Sequence, residues 1–343
     1  MKLRVACIQF NPLKGEIERN KIKIRQLIDS INKPFDLVVL PELSITGYNF
    51  NSENAISPYL DTVNNPIASN FGKELSKKYQ CFTVIGLAEK IEDKIYNSCK
   101  LINPVGEILY NYHKTFLYET DEVWGASENP DKSFRSVDVI LNKDYYLKND
   151  TTKDYPTTRV NFGICMDLNP YKFEAPFNKF EFSSGCYYNR SDLIICPMAW
   201  LSPYSPSITK TTTEEKEKAS REFQHFDHAP INNFNKADNI KLEELGKFDA
   251  TRPDFSTINY HILRFFPFMN HKYNELPKYG PVNVITCNRT GIETDVVYGG
   301  SSSIFTFNDI PGNEEINYLN PSVDLKGYLT QGTEGVLYRE LDI

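Results

Sequence analysis

No stretch of this 343-residue chain stays apolar for the roughly 20 residues that a bilayer-spanning helix requires. It carries no CxxC pair, and its five histidines fall in no ligand spacing, which argues against structural zinc. Seven cysteines, an odd number scattered without close spacing, do not make a disulfide framework. Lysine and arginine form no dense run and the net charge is -7, so neither a nucleic-acid surface nor a membrane association is expected. Residues 1–10 read as a strand, without the apolar run of a signal peptide or the Ser-rich look of a transit peptide. No internal repeat is visible. These absences lead to the expectation of a reducing, intracellular compartment: the cytoplasm, with the nucleus also open.

Hydrophobic residues make up 40% and charged residues 24%, ordinary values for a globular protein of this length with a sizeable core. Strand signals at residues 3–9, 36–40, 81–86, 98–102, 108–113, 159–165, 193–196, 282–287 and 303–307 alternate with helical patterns at 16–31, 67–78 and 176–186. The tail, 335–341, is expected to add an edge strand. Repeated strand–helix–strand units predict an α/β fold with helices outside a largely buried sheet system. Between about 202 and 280 the chain turns polar. Residues 210–223 there read as a helix, 225–253 as an extended loop and 260–271 as an aromatic segment that packs back. Residues 311–321 read as an acidic surface loop. The reading is one domain, 1–343, with a polar insertion at about 202–280.

Three strand ends carry chemistry. The run Asp36-Leu37-Val38-Val39-Leu40-Pro41-Glu42 ends on a carboxylate, Ile108-Leu109-Tyr110-Asn111-Tyr112-His113-Lys114 on an ammonium, and Val160-Asn161-Phe162-Gly163-Ile164-Cys165 on a thiol. Taken singly, each has a bland reading, because charged residues reach water at strand ends and free cysteines are usually small core hydrophobes. Together they supply a base, an electrostatic stabiliser and a nucleophile, and strand ends are where α/β sheets build sites.

Leu40-Pro41-Glu42-Leu43, Tyr112-His113-Lys114-Thr115 and Gly163-Ile164-Cys165-Met166-Asp167 resemble, in order and spacing, the Glu–Lys–Cys signature of the nitrilase superfamily of carbon–nitrogen hydrolases. The segments 114–118, 164–184 and 262–268 are similar to the fungal branch of that superfamily whose members deamidate N-terminal asparagine and glutamine in the N-degron pathway. The resemblance implies a nitrilase-like four-layer αββα sandwich and a cofactor-independent amidase. Its partners would be peptides or proteins beginning with Asn or Gln and an arginyl-transferase of the same pathway. The alternative is a nitrilase-type amidase or carbamoylase acting on small metabolites. Glu42 would be the base, Cys165 the nucleophile, and Lys114 and the Met166 N–H the oxyanion donors. Many superfamily members support the lysine with a second glutamate; Glu128 is the candidate and Glu122 the runner-up. Asp167 would either hold the substrate α-ammonium or cap a helix beginning near Pro170, with Glu119 and Asp121 as weaker ammonium ligands. Trp200 and Tyr48 would wall the pocket or belong to the core.

Overall fold

The computed structural model describes residues 1–149, 152–223, 248–269, 281–308 and 322–343. Most of the loop read at 225–253, the end of the segment read at 260–271 and the whole of 311–321 lie outside the described residues. In the first half of the chain come β1 (Lys2–Gln9), α1 (Ile17–Asp29), β2 (Leu37–Val39), α2 (Glu53–Ile56), α3 (Ile67–Tyr79), β3 (Phe82–Ile91), β4 (Lys94–Ile102), β5 (Ile108–His113) and α4 (Glu119–Val123). Then follow β6 (Ser136–Val139), α5 (Lys143–Leu147), β7 (Thr158–Phe162), α6 (Glu181–Tyr188), β8 (Leu193–Met198), α7 (Pro206–Thr209), α8 (Thr213–Phe223) and α9 (Phe255–Arg264). The last third adds β9 (Val282–Asn288), a hairpin of β10 (Ile292–Glu293) and β11 (Val296–Val297), β12 (Ser303–Phe307), β13 (Val323–Tyr328) and β14 (Gly335–Asp342).

Two six-stranded sheets result, ordered β14-β1-β2-β3-β4-β5 and β13-β12-β9-β8-β7-β6. Each has the same internal plan: three parallel central strands, β1-β2-β3 or β7-β8-β9, extended by antiparallel neighbours. Alternation along a strand decides which layer each side chain joins. Val5 and Cys7 of β1 enter the core between the sheets with Val160, Phe162 and Ile195. Ala6 and Ile8 of the same strand face outward against Ile24 and Leu27 of α1 and Phe71 and Leu75 of α3. On the second sheet, Ile194 and Cys196 pack outward against Phe182 and Cys186 of α6 and Phe265 after α9. The central strands of both sheets are covered on both faces, so they read as continuous apolar runs. This is the four-layer αββα sandwich.

Differences from the sequence reading are local. The strands β6 and β13, unread in the sequence, are the two edges of the second sheet, where a strand needs no full apolar pattern. The helix read at 176–186 begins at Glu181, because Phe180 takes a left-handed conformation, φ 47°. The tail does form an edge strand, β14, antiparallel to β1. Within the polar stretch α8 matches the helix read there, and the aromatic segment returns to the body through Phe265 and Phe268.

Gly86 of β3 lies directly under the strand end that carries Glu42. A methyl group on it would come 2.5 Å from the Pro41 carbonyl oxygen and 2.7 Å from the Glu42 Cα. The Gly86→Ala variant is therefore expected to lose about 1–3 kcal/mol of stability through overpacking. Urea unfolding checks this, and an unchanged midpoint would show that the strand end yields freely.

Candidate active site

The ends of β2, β5, β7 and β8 converge. Glu42, three residues beyond β2, is buried, and the next residue, Leu43, has a φ of 43° that turns the chain sharply. One Glu42 oxygen, Oε1, accepts from Lys114 Nζ at 2.8 Å and Asn97 Nδ2 at 2.7 Å. The other accepts from the Ala199 N–H at 2.7 Å. Lys114, wholly buried, also donates to Asp121 Oδ2 at 2.7 Å. Two of its three N–H donors are thus committed, and one is left for the reacting centre.

Cys165 opens the short 3₁₀ turn Cys165–Leu168 after β7, with φ at 44°. A left-handed β-carbon-bearing residue costs on the order of 1–3 kcal/mol, strain typical of functional turns. The turn leaves this cysteine half-buried, whereas the six others are buried in the core layers.

Asp167, two residues on, is a staple. Its carboxylate accepts from the backbone N–H groups of Ile164 (2.8 Å), Thr115 (3.0 Å) and Phe116 (2.7 Å) and from the Tyr112 hydroxyl (2.9 Å). Four donors fill its acceptor capacity, so it holds no ammonium; this corrects one of its two expected roles. Nor does it cap a helix at Pro170, since it caps its own 3₁₀ turn at Ile164. It ties the Lys114 strand end of one sheet to the Cys165 turn of the other. Burial pushes its carboxyl up to about 6, against the pull of those hydrogen bonds.

The second carboxylate on the lysine also differs from the expectation. Neither Glu128 nor Glu122 reaches Lys114. Glu128 accepts from the Tyr171 hydroxyl at 2.7 Å, and Glu122 lies outside, 4.0 Å from Lys172. Asp121 takes the place because α4 starts so soon after β5 that its inner face meets the lysine, and a short aspartate suffices. The next helical residue is rotated by about 100°, which turns Glu122 to solvent. Glu119 is exposed. Asp121 is further held by Tyr48 Oη (3.0 Å), Asn97 Nδ2 (2.9 Å) and the Tyr118 N–H (2.9 Å). Asn97 was missed. Its signal was weak but real: a polar residue on the inward face of β4 with Cys99 and Leu101, directly across from Lys114 in the β4–β5 register.

Burial pulls the Lys114 ammonium down, but Asp121 and Glu42 outweigh it and hold its pKa above the ordinary lysine value. Burial raises the Glu42 carboxyl; Lys114 pulls it back and the Asp121 charge pushes it up again, which suits a proton acceptor. Burial also pushes the Cys165 thiol well up, with Glu42 adding to the rise and Lys114 and the Ala199 N–H opposing it. Among the described residues, no group of three or more His, Cys, Asp or Glu is placed to hold a metal ion. No described helix is long and apolar enough to cross a membrane.

Cys165 opens into a cavity of about 430 Å³. Tyr48, Met166 and Trp200 line it, together with Tyr118, Phe173 and Tyr260, which the sequence reading does not place at the site. Tyr260 comes from α9, inside the stretch whose composition had pointed to an insertion. Behind Trp200, the buried His261 ring stands edge-on at 4.6 Å, and burial lowers its pKa to about 3, so it packs as a neutral ring.

Because the Glu42 charge raises the thiol pKa, Glu42→Gln is expected to move the pH midpoint of Cys165 alkylation by iodoacetamide downward. Peptide mass spectrometry reads this at Cys165 alone, the buried cysteines serving as controls. An upward shift would mean that Glu42 does not face the thiol.

A family model for carbon–nitrogen hydrolases matches residues 4–169. The protein N-terminal amidase of Saccharomyces cerevisiae is 30% identical over 438 aligned residues, covering 99% of this chain and 95% of that protein. The protein N-terminal amidase of Schizosaccharomyces pombe is 30% identical over 322 residues, 88% of this chain and 90% of the relative. A crystal structure of an N-terminal amidase with a Gln-Gly peptide superposes with a TM-score of 0.80 at 28% identity, over 99% of this chain and 97% of that one. The chain therefore belongs to the carbon–nitrogen hydrolase family, with the two yeast amidases among its relatives.

Proposed function

We propose that this chain deamidates the N-terminal Asn and Gln of peptides or proteins to Asp and Glu, releasing ammonia. The observation that carries the reading is a strained, half-buried Cys165 opening into a cavity beside a buried Glu42–Lys114–Asp121 cluster. The relatives support the choice of substrate, since solved N-terminal amidases hold Gln-Gly and Asn-Glu peptides.

Glu42 takes the thiol proton as the sulfur attacks the carboxamide carbon. The third N–H of Lys114 stabilises the oxyanion that forms, assisted by the Met166 N–H. As the tetrahedral adduct collapses, the C–N bond breaks and the proton passes from Glu42 to the leaving nitrogen, which departs as ammonia. A thioester remains. Glu42 then deprotonates water, which attacks the same carbon; the carboxylic acid leaves and the sulfur regains its proton. Asp121 is a positioning residue that holds the lysine. The new acidic N-terminus is the substrate chemistry of an arginyl-transferase, the expected downstream partner, in the cytoplasm or nucleus.

Mass spectrometry of Asn- and Gln-initiated peptides tests the reading, with internal-Asn peptides and free α-keto amides as controls. Cys165→Ala is expected to cut turnover on the order of 10⁴-fold or more. Full ammonia release by that variant would end the proposed mechanism. A second comparison separates the two candidate supports of the lysine. Asp121→Asn should lower kcat on the order of 10²–10³-fold, the range for losing one electrostatic element of a site. Glu128→Ala should stay within about twofold, as a partly exposed surface substitution does.

A further inference from the structure

An α-ammonium would ordinarily be met by a carboxylate, yet the buried acids of this site are already committed, and Glu119 beside Tyr118 is turned to solvent. Glu42 and Asp121 neutralise Lys114, and Asp167 is saturated by four donors. Among the described residues, no Asp or Glu lines the cavity. What lines its α9 side is a set of hydroxyls whose protons are already given away. The Tyr260 hydroxyl donates to Asn169 Oδ1 at 2.7 Å. Thr257 donates to Asp254 Oδ2 at 2.7 Å, and the Ser256 hydroxyl donates to Asp254 Oδ1. Asp254 itself caps the helix and stays behind it, 8% exposed. An oxygen whose proton is spent offers only lone pairs.

Resting on the amidase reading, we infer that Tyr260 Oη and Asn169 Oδ1 together bind the substrate's α-ammonium in place of a carboxylate. Each oxygen keeps a free acceptor site. The Asn169 amide group is turned the other way, with Nδ2 3.4 Å from Met166 Sδ, so it brings no competing donor. Trp200, whose ring centroid is 5.8 Å from that of Tyr260, adds an aromatic face suited to a cation. Reach agrees as well. Asn169 directly follows the Cys165–Leu168 turn, and both Cys165 and Asn169 line the one cavity with Tyr260. The α-nitrogen of an N-terminal Asn is three covalent bonds from its carboxamide carbon, and that of Gln four. A substrate bound at the sulfur therefore carries its amine within a few bonds of the reacting carbon, inside the cavity that Asn169 and Tyr260 share with Cys165. The amine thus identifies the chain end, and the cavity leaves room for one extra methylene.

The experiment compares an Asn-Gly peptide with its desamino analogue, succinamoyl-glycine, which keeps the carboxamide and lacks the amine. The wild-type protein is expected to favour the amine-bearing peptide by on the order of 10²-fold in kcat/KM, as loss of a charged partner from two buried acceptors implies. Tyr260→Phe should raise KM for Asn-Gly about tenfold, hold kcat within about twofold and leave the analogue unchanged. Asn169→Asp, which keeps the acceptors and adds charge, should retain the preference for the amine and so guards against a mere folding defect. Equal losses on both substrates in Tyr260→Phe, or an undiminished preference for the amine, would overturn the inference while leaving the amidase reading intact. Absence of ammonia from both substrates with the wild-type protein would overturn both readings.

Discussion

An ammonium with no exposure to water, gripped by two carboxylates, is the interaction on which the site depends. Lys114 meets Glu42 at 2.8 Å and Asp121 at 2.7 Å, and all three are buried. Burying such charges is expensive, and leaving one unpaired costs about 3–5 kcal/mol, so the surrounding hydrogen bonds are obligatory. Asn97 supplies one amide hydrogen to each carboxylate, Tyr48 supports Asp121, and the Ala199 N–H supports Glu42. With two negative groups for one positive, the cluster keeps a carboxylate that gains from taking up a proton. In the proposed mechanism that imbalance, and not a lowered thiol pKa in the resting state, prepares Cys165 for attack.

The cluster works only if the two sheets hold a fixed relative position. Glu42 and Lys114 stand on one sheet, Cys165 and Ala199 on the other. The shared apolar core sets their spacing in general, and Asp167 sets it locally by binding backbone donors from both sides. The left-handed residues Leu43 and Cys165 let both chains turn abruptly at the points where functional atoms must be presented. Their strain is carried by the rigid layers beneath them.

Much of this was legible in the sequence. Strand ends at Glu42, Lys114 and Cys165 announced themselves because each closes a short β-rich run, and strands covered on both faces read as continuous apolar stretches. The central strands of both sheets were readable for the same reason. The edge strands β6 and β13 were not, since half-exposed edges carry no strong pattern. The support for Lys114 was misread as Glu128 because a loop of unknown path offers several acids, and only the start of α4 selects Asp121. Asp167 reads in the sequence as an ammonium ligand or a helix cap, whereas its carboxylate is spent in part on backbone donors from Thr115 and Phe116, some fifty residues away.

By itself the sequence determined the α/β layering, the three strand-end groups and the family they resemble, because each rests on local periodicity or on residues a few positions apart. Tertiary structure alone decided which acid faces the lysine, what Asp167, two residues after Cys165, holds, and which hydroxyls wall the cavity. Those outcomes depend on contacts between segments far apart in the chain, where hydrogen-bond capacity and the geometry of packing choose among partners that composition treats as equal. Cys165 is a nucleophile candidate by its place on a strand; it has a cavity to serve only because α9 and Trp200 close around it.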